Sequence, residues 1–491
     1  MRATARGIAS SGRTVSRDPG ETSLIATLVT GRRPVGILGR VDWLFGQILS
    51  FEAAFALFLY SNELKTIIPF PFGKLDETVV FGALAVGAAA IVIYREGIYL
   101  RGIPILSAVL VFIGWAVLSG LVWSPSRSLV WKSISYLLTF TSFSVVAGCL
   151  IIANRRERAV RFFFVALVIS AGMALYGLYI DFAFGNFRRW AGWHDVDGRT
   201  YLAFGHTVVN GAGIAFCIAI FSRLGSIRQA AGVALFGACL LFLLVGGGRG
   251  PFLGAILAAM VALATRPPTV TRGRFEVPHA TVIAAGMLAV AAGYIGYILL
   301  TGELTSTLSR FTNLTEQVES RGEESGPNRM KYWLTAYKLW LSAPMIGHGL
   351  NSFSVLYTVG HKETSSSHPH DIFLQIASEM GIVGLFLIAA FMWTGLRYCT
   401  VNRLRRDPLL VCALLFLITS SMSALFGRDI VGSRKFFFAV SLLVLRPPTF
   451  SQQAVSERED EEEVPSAPRR LGAPAGPRPV GYGHGGAGAI S

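Results

Sequence analysis

The sequence predicts an all-α, polytopic integral membrane protein, and three observations carry that prediction. Only 15% of its 491 residues are charged against 52% hydrophobic, where soluble domains carry about 25% charge. The mean hydropathy is +0.53. Apolar stretches of roughly 17–25 residues recur along the chain, each long enough to cross a ~30 Å hydrocarbon layer. Inside lipid every backbone polar group needs an internal partner, and helices meet that need segment by segment.

The apolar pattern places about twelve transmembrane helices. They fall near 41–60, 78–94, 103–123, 134–153, 159–180, 207–222, 229–246, 251–265, 279–300, 371–394, 408–426 and 435–447, the last being short. Small residues within several of these spans suit close helix packing in lipid. Residues 1–40 are rich in Arg, Ser and Gly without an early apolar core, so they read as a basic N-terminal segment rather than a cleavable leader. The transmembrane domain is expected over 41–447. The stretch 448–491 carries "EREDEEE" followed by Pro/Gly-rich sequence and is expected to be a disordered tail.

Charge then orients the spans. The loops holding Arg95 and Arg101, Arg155 to Arg161, Arg223 and Arg228, Arg266 to Arg274, and Arg397 to Arg406 alternate along the chain. Short loops dense in arginine stay on the cytoplasmic side, which puts both termini there as well. The net charge of +15 is accounted for by this bias, and no nucleic-acid partner is implied. Cys149, Cys217, Cys239, Cys399 and Cys412 form no CxxC pair and read as small packing residues. Asp42 and Glu52, at the first span, read as helix-pairing groups. The segments left outside are 61–77, 124–133, 181–206, 247–250, 301–370 and 427–434. The loop 301–370 is too long for a connector and includes a helical pattern, "NRMKYWLTAYKLWL", suited to lying across the outer surface.

Three outer clusters could carry chemistry. "GGGRGPFLG" places Arg249 between glycines that allow close backbone approach, and an arginine fork suits phosphate. "RGEESGPNRMKYW" offers Arg321, Arg329 and Lys331. A solvated charge run accounts for Arg321 and Lys331, while Arg329 opens an aromatic amphipathic stretch. In "SSHPHDIFLQIASEMGIVG", His368, His370 and Asp371 stand at a helix N-terminus, where free N–H groups favour anions. Asp371, Gln375 and Glu379 follow at i, i+4 and i+8, a polar stripe entering an apolar span. Histidine exchanges protons near neutral pH, so His370 with two arginines suggests a general base beside a diphosphate clamp. His206 and Asn210, one turn apart, could line the same cavity. No Asp/Glu/His set has convincing metal spacing; His194, Asp195 and Asp197 lie in a Gly/Arg-rich loop. No metal or cofactor is expected.

These motifs resemble the O-antigen ligase / O-antigen polymerase family of bacterial membrane glycosyltransferases. "RGPFL" (Arg249 to Leu253) is similar to the family's R-x3-L motif. "NRMKYWLTAYKLWLSAPMIGHGLNSF" is similar to its arginine segment with W, A, P and G-x-G positions. "HDIFLQIASEMGIVG" is similar to H-[NSQ]-x9-G-x-x-G, with His370, Gly381 and Gly384 in register and Asp371 departing from it. The resemblance is specific over 329–385, within a core expected at about 240–395, and architectural elsewhere.

It implies an enzyme of the bacterial inner membrane with a large periplasmic loop. The implied reaction is inverting, metal-independent glycosyl transfer at the periplasmic face, in O-antigen or exopolysaccharide polymerisation or ligation. The donor would be an undecaprenyl-diphosphate-linked glycan and the acceptor a glycan or glycolipid, with membrane lipids and polysaccharide assembly proteins as partners. His370 would be the base and Arg249 and Arg329 the diphosphate ligands. Asp371, His368, Gln375, Arg321 and His206 would support them. The motifs leave ligase and polymerase open. A multi-span transporter of polysaccharide precursors or other solutes is the alternative, although no internal repeat of the kind transporters show is visible. An assembly scaffold is the third reading.

Overall fold

The computed structural model describes residues 50–65, 76–184, 200–222, 226–245, 249–265, 269–271, 274–276, 326–361, 368–427 and 429–448. Residues 1–446 form one unit and 447–491 another. Nearly everything described belongs to the first. Its helices in chain order are α1 (Phe51–Leu64), α2 (Glu77–Glu96), α3 (Ile103–Trp123) and α4 (Arg127–Asn154). Then come α5 (Arg156–Phe184), α6 (Thr200–Phe221), α7 (Ile227–Val245) and α8 (Arg249–Ala264). A two-stranded antiparallel hairpin, β1 (Thr269–Thr271) and β2 (Arg274–Glu276), follows. The remainder are α9 (Gly326–Ser342), α10 (Ser352–His361), α11 (Ile372–Leu396), α12 (Val401–Arg406), α13 (Pro408–Phe426) and α14 (Arg434–Leu442).

Eight helices among the described residues are long and apolar enough to cross a membrane, and the chain is a multi-pass, all-α membrane protein. The expected span at 279–300 lies outside the described residues, as do Asp42, Arg321, His194, Asp195 and Asp197. The expected span at 134–153 begins earlier, at Arg127, and is carried through two π-helical turns, Leu137–Thr141 and Ala147–Ile151. The expected last span differs most. α14 has nine residues, about 14 Å at 1.5 Å per residue, too short to cross. All nine are buried, so a continuous apolar run here marks a helix enclosed by protein rather than by lipid.

The bundle has two chemically different ends. At one, the arginine-rich turns around Glu96, Arg155–Arg158 and Asp407 converge. Arg155 and Arg158 hold Glu96 at 3.0 and 2.7 Å, and Arg158 also holds Glu52 at 2.7 Å. The Arg156 fork donates to both oxygens of Asp407 at 2.8 and 2.6 Å, the two-bond geometry that makes arginine–carboxylate pairs strong. The helix-pairing role read for Glu52 is borne out. At the other end lie the C-terminus of α1, the N-termini of α2, α4 and α11, and the turn before α14.

α9 explains itself by periodicity. Tyr332, Ala336 and Leu339 turn inward, at the i, i+4, i+7 spacing of one helix face. The helix rests on α11. Met330, Leu334, Tyr337 and Leu341 form a second apolar stripe that remains exposed, as expected of a helix lying at a membrane interface.

Candidate active site

The site is built on a break in α11. Gly381 has φ +67° and ψ −163° inside the helix, a region populated essentially by glycine that costs other residues about 1–3 kcal/mol. The segment Pro344–Gly349 lies along this break: Ile382 N donates to Pro344 O at 2.9 Å and Gly349 N to Glu379 O at 2.8 Å. A Cβ on Gly381 would sit 2.3 Å from Met345 O, and one on Gly347 2.3 Å from the Glu379 carbonyl carbon. The freed carbonyl of Met380 is taken by Trp115 Nε1 at 3.2 Å. The G-x-G and histidine motifs, distant in sequence, are therefore two sides of one close backbone contact. His348 ties the same loop to α9, its Nε2 lying 2.8 Å from Ser342 Oγ.

His370 stands one residue before the α11 N-cap. Its φ of +56° is left-handed, a strain of order 1–3 kcal/mol for a non-glycine residue and a pointer to function when observed. Pro369 fixes the backbone just before it, and Asp371 fixes it just after. The Asp371 carboxylate caps α11, Oδ1 accepting from Phe373 N at 2.8 Å and Leu374 N at 3.0 Å. Burial pushes this carboxyl above its ordinary range despite those two donors. The His370 ring lies between His368, with centroids 4.1 Å apart, and Tyr332 of α9, at 5.7 Å. Arg329 is half-buried and one helical turn before Tyr332, on the same face. α9 thus brings Arg329 to the neighbourhood of His370.

Beside them opens a cavity of about 330 Å³, into whose wall His368, Gln375, Asn351 and Arg434 contribute. Gln375 is buried and bridges: Ile430 N donates to its Oε1 at 2.9 Å, and its Nε2 donates to Glu379 at 3.3 Å. Its place in the polar stripe serves to dock the 429–433 turn on α11. The cavity is closed behind by buried charges of α14. Lys435 Nζ donates to Glu63 at 2.8 Å and lies 4.0 Å over the Tyr60 ring. Arg434 donates to Ser61 Oγ at 2.9 Å.

Arg249 is the first residue of α8; its side chain lies outside the described residues. His206 is buried on α6, its Nδ1 2.8 Å from Ser423 Oγ, while Asn210 accepts from Thr419 at 2.7 Å. Neither lines the cavity; both join α6 to α13. Lys132, Asn351 and Arg434 also line the cavity without standing out in the sequence as site residues. Arg434 and Lys435 carried a signal, two adjacent cations opening a strongly apolar run. Lys132 and Asn351 carried none, because their neighbourhood exists only after six chain segments meet.

Residues 233–389 match the family model described as O-Antigen ligase. That region contains all three motifs on which the resemblance was read, and with them Arg249, Arg329, His368, His370, Asp371 and Gln375. No curated protein matches the chain.

Proposed function

We propose that this multi-pass membrane protein, whose residues 233–389 are of the O-antigen ligase type, transfers a glycan from an undecaprenyl-diphosphate carrier to an acceptor sugar. The reading places the reaction at the periplasmic face, with both termini cytoplasmic, and rests its sidedness on the arginine-rich end of the bundle. The observation that carries it is the meeting of Arg329's helix with a strained His370 at the edge of a polar cavity. His370 takes the proton of the attacking acceptor hydroxyl as the new C–O bond forms. The bond from the anomeric carbon to the diphosphate oxygen breaks, and its electron pair leaves with the lipid diphosphate. Arg329 and Arg249 meet that growing charge, which makes their contribution larger in the transition state than in the bound donor. Attack opposite the leaving group inverts the anomeric centre. The exposed apolar stripe of α9 suits a polyprenyl tail arriving alongside Arg329.

The test is glycan transfer by purified protein in lipid nanodiscs from an undecaprenyl-diphosphate oligosaccharide, with and without chelator. His370→Ala is expected to lose about 10²–10⁴-fold, the scale of general-base catalysis. Arg329→Ala is expected to lose about 10²–10³-fold, the scale of one removed electrostatic contact to developing charge. Chelator is expected to change nothing. A product ladder identifies polymerisation and a single shift identifies ligation. Full activity of a folded His370→Ala variant overturns the base assignment.

A further inference from the structure

We infer that the cavity beside His368 is a sugar subsite that selects a carboxylate-bearing residue of the glycan. The inference rests on the glycosyl-transfer reading for the ligand being a glycan, and on the cavity walls for the rest. About 330 Å³ lies at the small end of ligand pockets, roughly 300–1,000 Å³, and suits a small polar group rather than a polymer. Its wall offers the Asn62 and Asn351 amides and the Ser354 hydroxyl, groups that both donate and accept. Asn351, in the same wall as His368, is held at φ +62°. Tyr136 and Phe140 stand edge to face at 5.0 Å in the same wall, an aromatic surface of the kind on which the C–H face of a sugar rests.

The charges decide the selectivity. Three cations and two carboxylates line the cavity, namely Lys65, Lys132, Arg434, Asp76 and Asp429. Lys65 is matched by Asp76 at 2.6 Å. Arg434 is directed to Ser61 and lies 4.7 Å over the Phe58 ring. Lys132 makes no ion pair among the described residues, and it lies one turn before Tyr136 on the same helix face. A single ammonium beside an aromatic ring and amides fits one carboxylate on a sugar ring. With three cations against two carboxylates the wall carries a net of one positive charge, which one carboxylate balances and the greater charge of a diphosphate exceeds.

The experiment uses the full chain in nanodiscs and two probes, methyl β-cellobioside and its analogue with glucuronic acid at the non-reducing end. Binding is read by calorimetry or saturation-transfer NMR, with inorganic pyrophosphate as a third arm. The uronate is expected to bind up to about fivefold more tightly than the neutral disaccharide, the upper end of what one exposed charge pair such as that of Lys132 contributes. Lys132→Met is expected to abolish that preference and keep neutral binding, Lys132→Arg to restore it, and Tyr136→Ala to weaken both sugars. Equal binding of the two sugars, or a preference that survives Lys132→Met, overturns the subsite. Pyrophosphate binding that is lost in Lys132→Met while neither sugar binds also overturns it, in favour of a diphosphate site. Sugar binding without glycan transfer would count against the reaction and leave the subsite standing; transfer without Lys132-dependent binding would do the reverse.

Discussion

Asp371 occupies the position after the motif histidine where the resembling family has Asn, Ser or Gln, and its geometry predicts what replacing it does. One oxygen accepts both Phe373 N and Leu374 N, which is N-cap chemistry available to any short side chain with an acceptor. Asp371→Asn and Asp371→Ser keep that acceptor and are expected to retain stability and transfer within about threefold, a fraction of one cap's worth. Asp371→Ala leaves both N–H groups without it and is expected to cost about 1 kcal/mol, within the measured range for N-caps. His370, one residue away and already in a left-handed conformation, loses its fixed anchor, so transfer should fall about five- to tenfold, the rate equivalent of ~1 kcal/mol. The pH dependence has a definite sign. Burial raises the folded-state carboxyl above 3.8, so the folded chain holds this proton more readily than the unfolded one. Measured against Asp371→Asn, which cannot ionise, wild type is relatively most stable at low pH and loses ground as pH rises through the raised value. Thermal unfolding in detergent between pH 3.5 and 7, together with transfer rates for the three variants, measures all of this. A stable Asp371→Asn protein that has lost transfer refutes the cap argument, because then the charge itself acts on His370.

Three further outcomes follow from the packing. Gly381→Ala should cost at least about 2 kcal/mol, from a backbone conformation reserved for glycine and a Cβ 2.3 Å from Met345 O, and thermal unfolding should show it. Glu63 and Lys435 are both buried and paired at 2.8 Å. Lys435→Met alone should therefore cost about 3–5 kcal/mol, while the double variant with Glu63→Leu recovers most of that; a chemical-denaturation cycle decides it. Lys65 donates to Asp76 and, although burial opposes it, holds that carboxyl below its ordinary 3.8. This small surface contribution is present above that value and is lost as pH falls through the lowered one. Asp76→Asn should flatten the acid limb of the melting profile, and an unchanged limb would count against the pairing.

How much was legible differs between fold and site. His370, Asp371 and Gln375 were visible as a polar stripe opening an apolar run, since lipid makes polar groups conspicuous. Arg329 was visible because it opens an amphipathic helix. Their meeting was not visible: it depends on Tyr332 packing on His370 and on glycines 347, 349 and 381 permitting a backbone contact that adds no side chain to the pattern. His206 looked like a cavity residue by its place near a span end, yet its hydrogen bond is to Ser423, a partner set by how α6 leans on α13.

The sequence by itself determined that the chain is helical, crosses the membrane repeatedly and sorts its arginine-rich turns to one end. Those properties follow from transfer to lipid, which acts residue by residue and leaves its signature in local composition. Only the tertiary structure decided that α14 is enclosed rather than spanning, that α11 breaks at Gly381, and that Lys132, Asn351 and Arg434 share a cavity with His368. Each of these depends on which helix faces which, and within a bundle that choice is made by packing and by paired buried charges, neither of which a hydropathy pattern encodes.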